Sequence, residues 1–311
     1  MSRLIVLSAL VVLGAVSAAV SAFQAPQTPA APPSVEAQKL KDNLFMLTGG
    51  GGNTAVFVGA AGVVVVDTKN PGYGRPILDK IKTLTDKPIT TIINTHTHGD
   101  HVSGNVDFPA TVDVVVQENT KTNMQKMAPV TGLAPAAGGQ PPQTIFQANG
   151  GKGLPTKTFK DKMTLGKGAD QIDLYYFGRG HTNGDAFIVF RALRVMHAGD
   201  IFARKGPPLL DANNGGSGVL IGDTLAKTAS SIKNVDSIIT GHSTVMTWAD
   251  LREYAQFNKD FLVWVREQLK GGKSVDEAAA AYKIPEKYAG YTANANQTKT
   301  NVGVIYGELK K

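Results

Sequence analysis

The chain has 311 residues, 42% of them hydrophobic and 18% charged, enough apolar material for one large core or two smaller ones. Its 32 Lys+Arg exceed its 25 Asp+Glu and leave a net charge of +7. The lysines are nevertheless dispersed (Lys39, Lys41, Lys69, Lys80, Lys82, Lys87), as on a solvated surface, which argues against a nucleic-acid partner. There is no cysteine, which excludes disulfides, thiolate metal ligands and an acylated lipoprotein anchor.

In chain order, residues 1–22 have the form of an export signal. Arg3 supplies the positive end, Leu4 to Val16 the apolar run, and Val20-Ser21-Ala22 a small-residue cleavage site before Phe23. The run is short for a bilayer span, which takes about 20 residues. The expectation is cleavage, a periplasmic or secreted protein, and no stable membrane insertion afterwards. Residues 23–36, rich in Pro, Ala and Gln, are predicted to be a tether.

Short strands follow at Asn43–Leu47, Thr54–Val58 and Gly62–Asp67, the first two forming a hairpin across Gly49-Gly50-Gly51-Gly52-Asn53. Ile77, Leu78, Ile81 and Leu84 carry helical spacing, and Ile89–Ile93 is the next strand. Thr111–Val116 predicts a strand and Glu118–Met127 a polar helix. Residues 128–156 are Gly/Pro/Ala/Gln-rich with little periodicity, a loop of a length that is usually functional or disordered. Strands resume at Thr158–Phe159, Gln171–Phe177, Ala186–Phe190, Arg194–His197 and Ser237–Thr240, with a helix at Gly222–Ile232. From Ala249 the spacing of Leu251, Tyr254, Phe257, Phe261, Val265 and Leu269 is helical, and Val275–Tyr282 continues it. Alternating strands and helices predict an α/β fold with its site at strand ends.

Five of the six histidines fall in three segments: Thr95-His96-Thr97-His98-Gly99-Asp100-His101, Gly180-His181-Thr182 and Gly241-His242-Ser243. Histidine is the commonest metal ligand, and such density after a strand is hard to justify as core packing. His96 and His98, one residue apart, can share one ion with His181. Asp100 and His101 face elsewhere and can serve a second ion with His242. Asp200, after the apolar run ending in His197-Ala198-Gly199, is placed to bridge them. Among the remaining polar groups, His197 reads as a hydrogen-bonded core residue, Asn183 and Asp185 as builders of the turn after His181, and Ser243 as a structural hydroxyl. Arg204 and Lys205 suit a substrate carboxylate or solvent equally. Gly49–Gly52 reads as a flexible tip over the site, and Tyr254, Phe257, Phe261 and Trp264 as helix packing.

The pattern His-x-His-x-Asp-His, then Gly-His-Thr, Gly-Asp after an apolar strand and Gly-His, resembles the metallo-β-lactamase superfamily over roughly residues 40–245. The resemblance implies a four-layer αβ/βα sandwich with a dinuclear zinc site, here over 37–248, with 249–311 as a helical C-terminal extension packed on the same domain. It also gives Asp67, after the strand Val63–Val66, a bracing role. The implied activity is hydrolysis by a metal-bridged hydroxide, oriented by Asp100, of a small-molecule ester, lactone, thioester or β-lactam. A β-lactamase specifically, a zinc-binding protein without turnover and oxidative chemistry at iron are the alternatives.

Overall fold

The computed structural model describes residues 33–133 and 143–310; the export signal, most of the tether and the middle of the 128–156 loop lie outside them. Strands β1 (Glu36–Lys41), β2 (Leu44–Thr48), β3 (Thr54–Val58), β4 (Val63–Val66), β5 (Ile89–Ile93), β6 (Asp113–Gln117) and β7 (Lys157–Phe159) form the first sheet in that spatial order. The second sheet runs β13 (Met246–Thr247), β12 (Ser237–Thr240), β11 (Val195–Gly199), β10 (Phe187–Phe190), β9 (Ile172–Tyr175) and β8 (Lys162–Leu165). Hairpin neighbours pair antiparallel; β4, β5, β6 and β7 are mutually parallel, as are β11 and β12. The helices are α1 (Gly74–Leu84), α2 (Gly99–Val102), α3 (Glu118–Lys126), α4 (Ile145–Ala148), α5 (Ile221–Ser231), α6 (Trp248–Lys270), α7 (Val275–Ala281) and α8 (Ala295–Leu309).

Strand alternation sorts side chains into three apolar layers. Ala55, Phe57, Val66 and Ile93 of the first sheet meet Leu174, Ile188, Phe190 and Ile239 of the second in the central layer. Val56, Val65, Ile92 and Val114 point the other way, onto Ile77 and Ile81 of α1 and Met124 of α3. Phe187, Val189, Met196 and Ile238 point outward onto α5–α8 through Leu225, Leu251, Phe257, Ala278, Val302 and Ile305. This is the helix–sheet–sheet–helix order implied by the motif resemblance. Residues 249–310 are themselves the outer layer of the second sheet, sharing its core with α5. None of the described helices is long and apolar enough to cross a membrane.

Four expectations need correction. Glu36 opens β1 and Val35 is buried in the core, so the fold starts before the expected end of the tether. The 128–156 segment contains α4, started by a capping box in which Thr144 and Gln147 exchange backbone hydrogen bonds. Lys69 does not belong to the solvated surface: it is completely buried. The glycine run is not a loose tip, because a Cβ on Gly52 would lie 2.1 Å from the His101 ring and one on Gly51 would lie 2.6 Å from the Asp100 carbonyl oxygen.

Ile305 of α8 is fully buried, and its side chain fills the space where a Cβ on Gly218 would sit, 2.3 Å away. Ile305→Ala is expected to lower unfolding free energy by about 2–5 kcal/mol. Urea unfolding followed by Trp248 and Trp264 fluorescence and by far-UV circular dichroism should still give one coincident transition. Two separated transitions would show that α8 is a unit apart.

Candidate metal centre

The three histidine segments all lie in connections that follow strands: after β5, between β9 and β10, and after β12. After β5 the chain bends through Thr95, His96 and Thr97 to His98 (φ −66°, ψ 145°), which brings the His96 and His98 rings to 4.8 Å between centroids; α2 then turns Asp100 and His101 towards a neighbouring space. His181 comes from the β9–β10 connection, Asp200 follows β11, and His242 follows β12. The first sheet thus supplies four of the seven predicted residues and the second sheet three.

His96, His98, His181 and Asp200 form one cluster of converging ligand atoms, and Asp100, His101 and His242 form another. In the first cluster, His98 Nε2 donates to Asp211 Oδ2 at 2.7 Å, and His181 Nδ1 donates to the Leu209 carbonyl at 2.6 Å. When both rings are neutral each has only one N–H, and His98 Nδ1 and His181 Nε2, 3.0 Å apart, then face each other as two lone pairs. His96 Nε2 is buried with no hydrogen-bond partner among the described residues. Three bare imidazole nitrogens aimed at one point fit a divalent cation, since nitrogens ~2.0–2.1 Å from a tetrahedral zinc are themselves a little over 3 Å apart. Burial, reinforced by the fields of His101, His181 and His98, keeps His96 neutral by holding its pKa well below the usual value. Burial, with the field of His98, also lowers that of His181.

The second cluster is more strongly charged. His101 Nε2 lies 3.3 Å from His242 Nε2 and 3.3 Å from Asp200 Oδ1. His242 Nε2 lies 3.1 Å from Asp100 Oδ2 and 3.2 Å from Asp200 Oδ2. Asp200 Oδ2 is also 3.8 Å from His181 Nε2, so this carboxylate touches both clusters. Burial alone would push Asp100 upward, but His101 and His242 outweigh it and bring the carboxyl to about 2. Burial would lower His242, yet Asp100 and Asp200 raise it to about 9. His101 rises well above its ordinary value by the same balance.

Supporting groups fix these rings. Asp67 accepts from Thr95 N at 2.8 Å and from Thr95 Oγ1 and His101 Nδ1, both at 2.7 Å, which aims His101 Nε2 at the second cluster. His197 is buried and fully hydrogen-bonded, donating to the Asn53 carbonyl at 3.0 Å and accepting from Gly199 N. Asp185 accepts from Thr182 N and Oγ1, which builds the turn after His181. Asn183 accepts from Asn123 Nδ2 at its Oδ1 and donates its backbone N–H to the Asn214 carbonyl, as a builder of the turn. Gly241 is obligatory, because a Cβ there would lie 1.8 Å from Asp200 Oδ1.

Three supports escaped the sequence reading. Asp211 was invisible because its histidine is 113 residues away, although its Asp-x-Asn-Asn-Gly context marks a capped turn. Asn53 donates to the Thr240 and Ser243 carbonyls and ties the sheets together at the site. Lys69 carries no local signal at all.

The clusters open into a cleft of about 430 Å³. Pro207, Pro208, Leu209 and Leu133 make its apolar walls, and Arg204 stands at its rim. Lys205 is turned away into ion pairs with Asp250 at 2.6 Å and Glu253 at 3.4 Å. Tyr254, besides stacking on Phe202, also lines the cleft.

Comparison with known proteins agrees with this geometry. A 2,4-dinitroanisole O-demethylase subunit alpha from a Nocardioides species is 23% identical over 54% of this chain and 46% of its own length. A hydroxyacylglutathione hydrolase from Synechocystis is 30% identical over 43% of this chain and 41% of its own. The chain thus spans less than half the length of these two relatives. The solved metallo-beta-lactamase from Pontibacter korlensis superposes with a TM-score of 0.58 at 18% identity, covering 73% of this chain and 99% of that one. The sequence pattern of the metallo-beta-lactamase superfamily matches residues 47–242, and the chain belongs to that superfamily.

Proposed function

We propose that this protein is an exported dinuclear zinc hydrolase of small carbonyl substrates, an ester, lactone, thioester or β-lactam. The observation that carries the proposal is the junction at Asp200, where a His96–His98–His181 set and an Asp100–His101–His242 set meet through one carboxylate. Each set would hold one ion, with Asp200 between them. Bound there, two divalent cations supply Lewis acidity, which acidifies water and polarises a carbonyl oxygen.

The chain's own groups do the rest. Asp100 stays ionised beside the cleft and is placed to orient the attacking water and receive its proton. Arg204 offers positive charge to an anionic part of the substrate at the rim. Pro207, Pro208 and Leu209 shield the reacting groups from bulk water. Thiolate-dependent lactamase chemistry does not apply, since there is no cysteine. The apolar run at residues 4–16 supports export with cleavage before Phe23, so the mature protein recovered from the periplasm or medium should begin at Phe23 by intact mass.

The purified, zinc-loaded protein should bind two equivalents of metal and hydrolyse at least one of nitrocefin, an acyl-homoserine lactone and lactoylglutathione; hydrolysis of a phosphodiester alone would overturn the carbonyl assignment. Uptake of a single equivalent or less would sink the proposal. Asp100→Asn should reduce turnover by about 10²–10⁴-fold while much of the metal content, measured by mass spectrometry, survives. Comparable turnover in this variant would remove Asp100 from the chemistry.

Metal uptake should also release protons. Without metal, His242 titrates near pH 9 and His101 also above its ordinary value, so both are charged at neutral pH and must give up protons to become ligands. Calorimetric titration with zinc at pH 7 in buffers of different ionisation enthalpy should show net proton release. The raised pKa of His242 stabilises the metal-free fold fully below about pH 6.5, the unfolded value. That stabilisation is lost as pH rises through about 9. The thermal midpoint of the chelated protein should therefore fall across that window, and a rise there would contradict the assignment.

A further inference from the structure

Lys69 combines three features that a surface lysine lacks. It is completely buried, its backbone is left-handed at φ 68°, and its ammonium donates to two backbone carbonyls, Leu47 O at 3.0 Å and Gly52 O at 2.6 Å. A left-handed backbone is disfavoured for any residue with a Cβ, and a buried ammonium loses its hydration. Glycine would avoid both costs.

What the lysine holds is informative. Gly52 N donates to the Asp100 carbonyl at 3.0 Å, and a Cβ on Gly52 would lie 2.1 Å from the His101 ring. The residues before Lys69 grip the same place: Asp67 takes His101 Nδ1, and Thr68 N donates to the His101 carbonyl at 2.7 Å. Asp67, Thr68 and Lys69 therefore all bear on Asp100 and His101. Asp67 reaches the first set too, through Thr95, whose hydroxyl pairs with His96 Nδ1 at 2.8 Å, whereas the Lys69 ammonium bonds only to the Leu47 and Gly52 carbonyls.

We infer that Lys69 is a positioning residue for the Asp100–His101–His242 half of the centre, pinning the Gly52 turn that backs Asp100 and His101. The inference rests on the two-metal reading above. Lys69→Gly removes the ammonium while easing the backbone, and Lys69→Met removes the charge while keeping most of the volume.

The test is titration of the chelated, full-length protein with cobalt(II), followed by visible absorption, alongside urea unfolding of the metal-free forms. Bands lost in a His181→Ala variant identify the first set, and bands lost in His242→Ala the second. Both Lys69 variants should bind cobalt at the first set as the wild type does. Both should bind it at the second set at least about tenfold more weakly, as expected when a support of a ligand is removed. Wild-type affinity at the second set in either folded variant would overturn the inference. So would equal weakening of both sets, or failure of both variants to fold, since each marks a purely structural lysine. A wild-type protein that takes up a single equivalent would instead overturn the two-metal reading, and this inference with it.

Discussion

Two imidazole nitrogens 3.0 Å apart, on rings whose other nitrogens are committed to Asp211 and the Leu209 carbonyl, set the terms for this molecule in its neutral-ring form. Lone pairs so placed repel one another, and the bare nitrogen of His96 beside them adds a third. A cation turns that repulsion into attraction. Because His96 and His98 come from the first sheet and His181 from the second, the same cation would join the sheets. Asn53 makes the corresponding neutral tie, donating from the first sheet to the Thr240 and Ser243 carbonyls of the second. In a chain without disulfides these links between the sheets supplement the central apolar layer.

Four buried or half-buried aspartates show how environment divides one side-chain type into two jobs. Asp67 and Asp211 have their oxygens saturated by backbone, hydroxyl, amide and imidazole donors, so they act as fixed acceptors that choose a histidine tautomer. Asp200 has one oxygen with no hydrogen bond among the described residues, and Asp100 borders the cleft. Saturated carboxylates hold rings in place; unsaturated ones face the chemistry.

Most of this fold was legible because its strands are strongly patterned. Thr54–Val58, Ile89–Ile93 and Ser237–Thr240 coincide with the predicted runs, since each is apolar and bounded by turn residues. The elements that escaped lack that contrast. Strand β1 is almost wholly exposed, β8 alternates exposed with half-buried positions at a sheet edge, and α8 carries two glycines within a weakly amphipathic stretch. The site divides the same way. Its seven ligand candidates were visible as His and Asp in dense, glycine-flanked motifs. Asp211 and Lys69 were not, because an aspartate in a turn and a lysine after a strand look ordinary until the fold brings a distant partner to them.

The C-terminal helices illustrate how far such hidden dependence extends. Pro207 and Pro208 have no N–H to offer, so their carbonyls are the handles by which that wall of the cleft can be held. Helix α8 takes both: Gln297 Nε2 donates to the Pro207 carbonyl at 2.8 Å, and Asn301 donates to that of Pro208 while accepting from Leu210 N. Between these anchored residues sits Leu209, whose carbonyl fixes the tautomer of His181. A helix absent from the motif-bearing part of the sequence therefore sets the orientation of a candidate metal-ligand histidine and closes one wall of the cleft. The outer layer on the second sheet belongs to the site as much as the histidine segment does, and a fragment ending near residue 248 would keep every candidate ligand while losing the support for one of them.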